Sequence, residues 1–302
     1  MNDKLRRLIR PLIILIGLSI LIYPSLSEYL SQKNSSRAIS VYDNSVIRLR
    51  AEEKQEMLEM AREYNRQLVE SAGYGKPRID EHGNPISLDS YDNIMNVNGL
   101  GMMGYVSIPL LNETIPIYHG TSEEVLQAGV GHLENTSFPV GGASTHAVLS
   151  GHRGLPTTSL FTDLDALQIG DRFYIKVLDE TLCYTVDQIV TVLPEETEEL
   201  AIHANEDYVT LVTCTPYGVN SHRLLVRGVR TPYTPEAENE YALTEENRIT
   251  FWEQLPAQYR HMLLGACAII IFLILRGFVL LLKKQLQKRR KEADAENNTP
   301  VS

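Results

Sequence analysis

Apolar residues follow three different patterns along this chain. Two stretches are almost wholly apolar: LIILIGLSILIYPSL from Leu12 to Leu26, and MLLGACAIIIFLILRGFVLLL from Met262 to Leu282. The second has the ~20 residues a helix needs to cross a bilayer, and a 21-residue apolar helix has nothing in a domain of this size to cover it. A different pattern follows the first run. From Asn44 to Glu70 apolar side chains recur three or four apart (Val46, Ile47, Leu49, then Met57, Leu58, Met60, Ala61, Tyr64, Leu68), which predicts an amphipathic helix serving as a stalk or a cover. From Gly101 onward the texture changes to short β-branched and aromatic runs split by Gly and Pro. GYVSIPLL, TIPIYHG, HAVLSGH, RFYIKVL, CYTVDQIVTVL, DYVTLVT and RLLVRGVR all read as half-buried strands, and so many short strands imply a barrel or sandwich. SEEVLQAGVGHL and SLFTDLDALQIG read as helical turns between them.

Charge adds orientation to that pattern. Residues 1–10 and 276–302 together hold 11 of the 28 Lys and Arg and 4 of the 38 Asp and Glu, leaving 17 basic against 34 acidic residues between them. Lys4, Arg6, Arg7 and Arg10 flank the first apolar run, and KKQLQKRRK follows the second, where Arg276 can snorkel toward headgroups. Two spans with basic flanks inside place the acidic middle outside the cell, a surface that argues against nucleic acid. The expected organisation is a cytoplasmic N-terminus at 1–11 and a transmembrane anchor at 12–30, uncleaved because SEYLSQKNSSR offers a poor cleavage site. A helical stalk at 31–72, a Gly- and Pro-rich loop at 73–96 and a β-domain at 97–232 follow. A linker at 233–260, a second span at 261–282 and a basic cytoplasmic tail at 283–302 complete the chain.

Three cysteines are too few for a disulfide framework. Cys267 lies in the second apolar run, and Cys183 alternates within a strand-like segment as a small buried thiol. Cys214 remains, at the end of the strand in TLVTCTPYGVNSHRLLVRG. A thiol becomes a nucleophile only as a thiolate, which needs a base or a cation nearby. Pro216 and Gly218 mark a turn after it, and two antiparallel strands would return Arg223 to face Cys214 at about 5 Å. A guanidinium there can favour the thiolate and hydrogen-bond a developing oxyanion; an arginine on an edge strand facing water is the plainer alternative. Among the eight histidines His152 stands out, because HAVLSGHRGLP runs from a strand into a Gly-flanked loop. His119, His132, His146, His203 and His222 read as ordinary polar or partly buried side chains. His82 lies in the long loop and His261 beside the second apolar run. Metal is not expected, since no Cys and His cluster has ligand spacing, and there is no Gly-rich phosphate loop or G-x-S-x-G elbow.

TLVTC at Thr210 to Cys214, SGHRG at Ser150 to Gly154 and SHRLLVRG after the turn resemble the sortase signatures. The likeness covers most of residues 97–232 and is similar to the pilus-assembling class C. It implies a closed eight-stranded β-barrel with short helices and, in agreement with the apolar runs, a second membrane span. It further implies that Cys214 is the nucleophile, His152 the proton donor and base, and Arg223 the oxyanion and substrate ligand, with Thr213 and Ser150 binding substrate and no cofactor. The implied partners are pilin subunits bearing LPxTG-type signals and acceptor lysines. One departure concerns the lid that class C enzymes carry before the barrel. Its Asp-Pro-aromatic motif is missing between Gly73 and Asn93, where Asp80 and His82 of RIDEHGNP are the nearest substitutes.

Overall fold

The computed structural model describes residues 3–72, 91–155, 158–236 and 238, together with Gly265 and Arg276. The chain divides into two compact units, Met1–Pro256 and Ala257–Ser302. The lid candidates Asp80 and His82, and the apolar run at 261–282 apart from Gly265 and Arg276, lie outside the described residues.

The β-domain is a barrel of eight strands: β1 (Met102–Ile108), β2 (Glu113–His119), β3 (Val130–His132), β4 (Thr145–Ser150), β5 (Arg172–Val177), β6 (Glu180–Val192), β7 (Asp207–Thr215) and β8 (His222–Thr231). It closes in the order β1-β2-β3-β4-β7-β8-β6-β5, as the strand pattern and the family likeness led one to expect. Closure removes the unpaired edges an open sheet would present. The alternation of each strand decides what lies inside. Val106, Ile117, Leu149, Phe173, Leu211 and Val226, all essentially inaccessible, fill the interior. A second, smaller apolar cluster of Val148, Leu200, Val212 and Leu225 lies on the other face of β4, β7 and β8. Two of the strand pairings are parallel, β2 with β3 and β4 with β7.

The helices depart from the sequence reading in their boundaries. Helix α1 (Asp3–Arg48) passes without interruption through the expected anchor and the first part of the expected stalk, and α2 (Ala51–Ala72) follows. The break falls inside the stretch read as one amphipathic helix. At that point Glu53 reaches back to accept from the Arg50 backbone N–H at 2.8 Å, the reciprocal half of a capping box, which starts a new helix. Among the described residues no helix is long and apolar enough to cross a membrane.

Helix α2 lies on the barrel as a cover. Leu58, Ala61, Tyr64 and Leu68, one face at helical spacing, are buried in the main core. Asn65 fixes the contact, donating to Phe138 O at 3.1 Å and accepting from Phe138 N–H at 2.7 Å. Helix α1 is tied by Tyr42, whose hydroxyl donates to Met103 O at 3.0 Å and accepts from Leu178 N–H at 2.9 Å. Further up α1, Glu28 is buried and accepts from Ser159 at 3.1 Å.

Strand β3 was not foreseen. Its segment was read as helical turns, and a short helix α3 (Glu123–Ala128), capped by Ser122, does occupy the first half. The next residues pair in parallel with β2 because Gly131 permits it: a Cβ there would stand 2.3 Å from Gly120 O.

Candidate active site

The hairpin of β7 and β8 sets the first two groups. Cys214 pairs with Arg223 and Thr215 with His222, across a turn in which Val219 and Asn220 donate to Pro216 O at 3.0 and 2.9 Å. Directly opposed residues of an antiparallel pair share a face with Cβ atoms about 4.5–5.5 Å apart. Val212 and Leu225, also paired, mark that face as the one carrying the small outer cluster. Cys214 is a free, half-buried thiol at its rim. The Arg223 guanidinium, half-buried, donates from Nη1 to its own turn, to His222 O at 3.1 Å and Asn220 O at 3.3 Å.

The third group arrives through the parallel pairing of β4 with β7. Ser150 pairs with Val212, and Gly151 N–H donates to Val212 O at 3.0 Å. His152 comes two residues after Ser150, in the loop beyond the end of the ladder, as Cys214 comes two residues after Val212 on β7. Thr213 donates its hydroxyl to Gly151 O at 2.8 Å. Its side chain is buried and holds the histidine loop. Ser150, like Thr213 an expected substrate contact, is half-buried at the end of β4.

The glycines around His152 are required by their surroundings. A Cβ on Gly151 would lie 2.7 Å from the Phe161 ring. Gly154 has φ +76°, and a Cβ there would meet the Tyr217 ring at 2.8 Å. The turn after β7 therefore packs directly on the histidine loop. His152 Nε2 is buried without a hydrogen-bond partner, and its nearest charge is the Glu123 carboxylate of α3 at 3.6 Å. Glu123 is exposed and could not be found from sequence, because nothing local links α3 to the loop.

The other buried histidines contrast with this one. His132 Nε2 donates to Ser137 O at 2.8 Å and its Nδ1 accepts from the Tyr91 hydroxyl at 2.9 Å. Burial pushes its pKa down to about 3. His146 donates to Ala201 O at 2.8 Å and accepts from Thr210 at 2.7 Å, with burial lowering it to about 4. Both are neutral structural groups. Among the described residues no group of three or more His, Cys, Asp or Glu side chains could hold a metal ion.

A thiol flanked on neighbouring strands by an imidazole and a guanidinium, at the rim of a closed barrel, defines a cysteine-nucleophile site. Residues 106–231 match the family described as "Sortase domain". Sortase C1 from Streptococcus agalactiae superimposes with a TM-score of 0.60 at 46% identity, covering 66% of this chain and 100% of that one. Sortase C from Streptococcus pneumoniae gives 0.58 at 46%, covering 66% and 98%. In sequence, sortase A from Bacillus anthracis is 29% identical over 127 residues, 42% of this chain and 59% of that protein. Sortase A from Streptococcus agalactiae is 30% identical over 121 residues, 39% and 49%. The chain thus spans about half of the curated relatives it matches. The chain belongs to the sortase family, and its solved neighbours are class C members.

Proposed function

We propose that the protein is a class C sortase, a cysteine transpeptidase that cleaves LPxTG-type sorting signals between Thr and Gly and joins pilin subunits through a lysine isopeptide bond. The observation that carries this is the register that sets Cys214 opposite Arg223, with the loop that carries His152 tied to β7 through Gly151 and Val212. The Cys214 thiolate attacks the Thr carbonyl carbon, Arg223 stabilises the oxyanion, and His152 protonates the leaving glycine amine. The thioester that remains is attacked by a lysine amine, from which His152 takes the proton, and the thiolate is released. The attack uses the thiolate and the departure uses the imidazolium, so both must be present together. The pneumococcal neighbour is described in terms of pilin substrate specificity, which favours a pilin acceptor here.

The same reading places the protein in the cell membrane with the barrel outside. Ile22, Tyr23, Leu26, Tyr29 and Leu30 of α1 are exposed apolar and aromatic side chains, suited to the level where a bilayer meets water. The buried Glu28, accepting from Ser159, supports a reading in which the anchor ends before residue 28.

The decisive assay offers the full-length protein an LPxTG peptide with a pilin-type lysine and a peptidoglycan-type amine as competing acceptors. Lysine adducts, a trappable thioester on Cys214 and complete loss of both in Cys214→Ala are expected. Transfer to the peptidoglycan amine alone would remove the pilin assignment. Peptide cleavage surviving in Cys214→Ala would remove the sortase mechanism.

A further inference from the structure

We infer that Arg153 is a positioning residue: its guanidinium clasps Thr215 and Asp165 and thereby holds the loop that carries His152 against the strand end that carries Cys214. This rests on the transpeptidase reading above and adds a residue that neither the thiol-imidazole-guanidinium set nor the family likeness assigns.

The need for such a clasp follows from where the ladder stops. The pairing of β4 with β7 ends at Ser150 and Val212, and the Gly151 N–H to Val212 bond is the last backbone tie before His152. Beyond that point the two chains are joined by side chains, one tie on either side of Cys214. Thr213 donates to Gly151 O at 2.8 Å, and Arg153 Nη1 donates to Thr215 Oγ1 at 3.2 Å. The residue after the histidine is thus bound to the residue after the cysteine.

The other arm of the fork is anchored. Arg153 Nη2 is ion-paired with Asp165, in a 3-10 turn (Leu164–Ala166) whose Leu164 is fully buried in the main core. The Arg153 side chain is only 8% exposed. A loop arginine ordinarily leaves its charge in water, and withdrawing it is costly unless hydrogen bonds replace the solvent. Planar, doubly bonded geometry is what a guanidinium supplies and an ammonium does not. The loop is also held from outside this fork, since Gly154 N–H donates to Thr162 at 3.0 Å. The fold therefore does not depend on Arg153 alone.

Proton delivery requires hydrogen-bond reach, and a displacement of about 1 Å can cost on the order of 100-fold in rate. Two measurements on full-length Arg153→Ala, Arg153→Lys, Asp165→Asn and His152→Ala test the inference, with melting temperature establishing that each is folded. In peptide turnover, Arg153→Ala should lose roughly 10- to 100-fold in kcat with little change in KM. Arg153→Lys and Asp165→Asn, each keeping part of the clasp, should lose less.

The pH dependence of Cys214 alkylation by iodoacetamide needs only the thiol and its neighbours. The Arg153→Ala curve should move from the wild-type shape to that of His152→Ala, a change that general loosening of the loop would not produce. A folded Arg153→Ala with the wild-type curve overturns the clasp, as does a His152→Ala curve identical to wild type. Should Arg153→Ala fail to fold, Asp165→Asn, an exposed position, is judged by the same curves. A wild-type protein that cleaves no LPxTG peptide would defeat the transpeptidase reading, while the alkylation curves still decide the clasp.

Discussion

His132 and His152 stand on neighbouring parts of one barrel and illustrate opposite uses of an imidazole. His132 is wholly enclosed, and each ring nitrogen has a partner, Tyr91 on one side and Ser137 on the other. Its ring also lies nearly parallel to those of Tyr91 and Phe138, with centroids 5.8 and 5.2 Å away. His152 is about a quarter exposed, its Nε2 has no hydrogen-bond partner, and a carboxylate stands just beyond bonding distance. A satisfied ring stabilises one structure. An unsatisfied one in a loop at the rim is left able to exchange a proton with something that arrives.

The largest test of that contrast is His152→Ala. It should lower peptide turnover by about 10²- to 10⁴-fold, as loss of a general acid-base does, with the melting temperature nearly unchanged. His132→Ala should do the reverse. Losing a buried ring and leaving the Tyr91 hydroxyl without that acceptor should cost about 3 kcal/mol in denaturant unfolding while Cys214 remains reactive. Arg223→Lys should reduce turnover by at least about tenfold, because lysine keeps the charge and loses the fork. A wild-type rate would show that charge alone is used.

Acidity sharpens the comparison further. His132 and His146 have pKa values lowered to about 3 and about 4. The native rings stay neutral where unfolded ones bind protons, so their stabilising effect is full above about 6.5 and is lost as pH falls toward 4. Glu113 works against them. Burial, with Glu28 and Asp163 nearby, raises its pKa from 4.5 to about 7 despite a hydrogen bond from Ser159. Its contribution is present below about 4.5 and is lost as pH rises through 7. The smallest expected effect is therefore a gain on the order of 1 kcal/mol for Glu113→Gln at pH 8, vanishing near pH 4, read from chemical unfolding. Equal gains at both pH values would show that ionisation of Glu113 is irrelevant.

What could be read in the sequence divides along chain separation. Cys214 and Arg223 are joined by a short turn marked by Pro216 and Gly218, so their opposition follows from local hairpin geometry. His152 reaches them only through parallel pairing of β4 with β7, which no periodicity records; the resemblance of SGHRG and TLVTC supplied it. Strand β3 escaped because three residues between a helix and a loop leave no alternation to detect. The α1–α2 boundary escaped because Arg50 is an atypical cap, completed by Glu53. Arg153 was in view within SGHRG, but its partners Asp165 and Thr215 lie in other segments, so nothing local set it apart from a solvated loop residue. Strand alternation from the half-buried Cys214 already turns Thr213 inward.

The β4–β7 pairing also governs when the chemistry can begin. Its two strands are separated by the whole of β5 and β6, and loop closure of that length is a late event in folding. Until it occurs, Cys214 has its hairpin partner Arg223 opposite it but not the loop that carries His152. The set of Cys214, Arg223 and His152 is therefore assembled only when the barrel is complete.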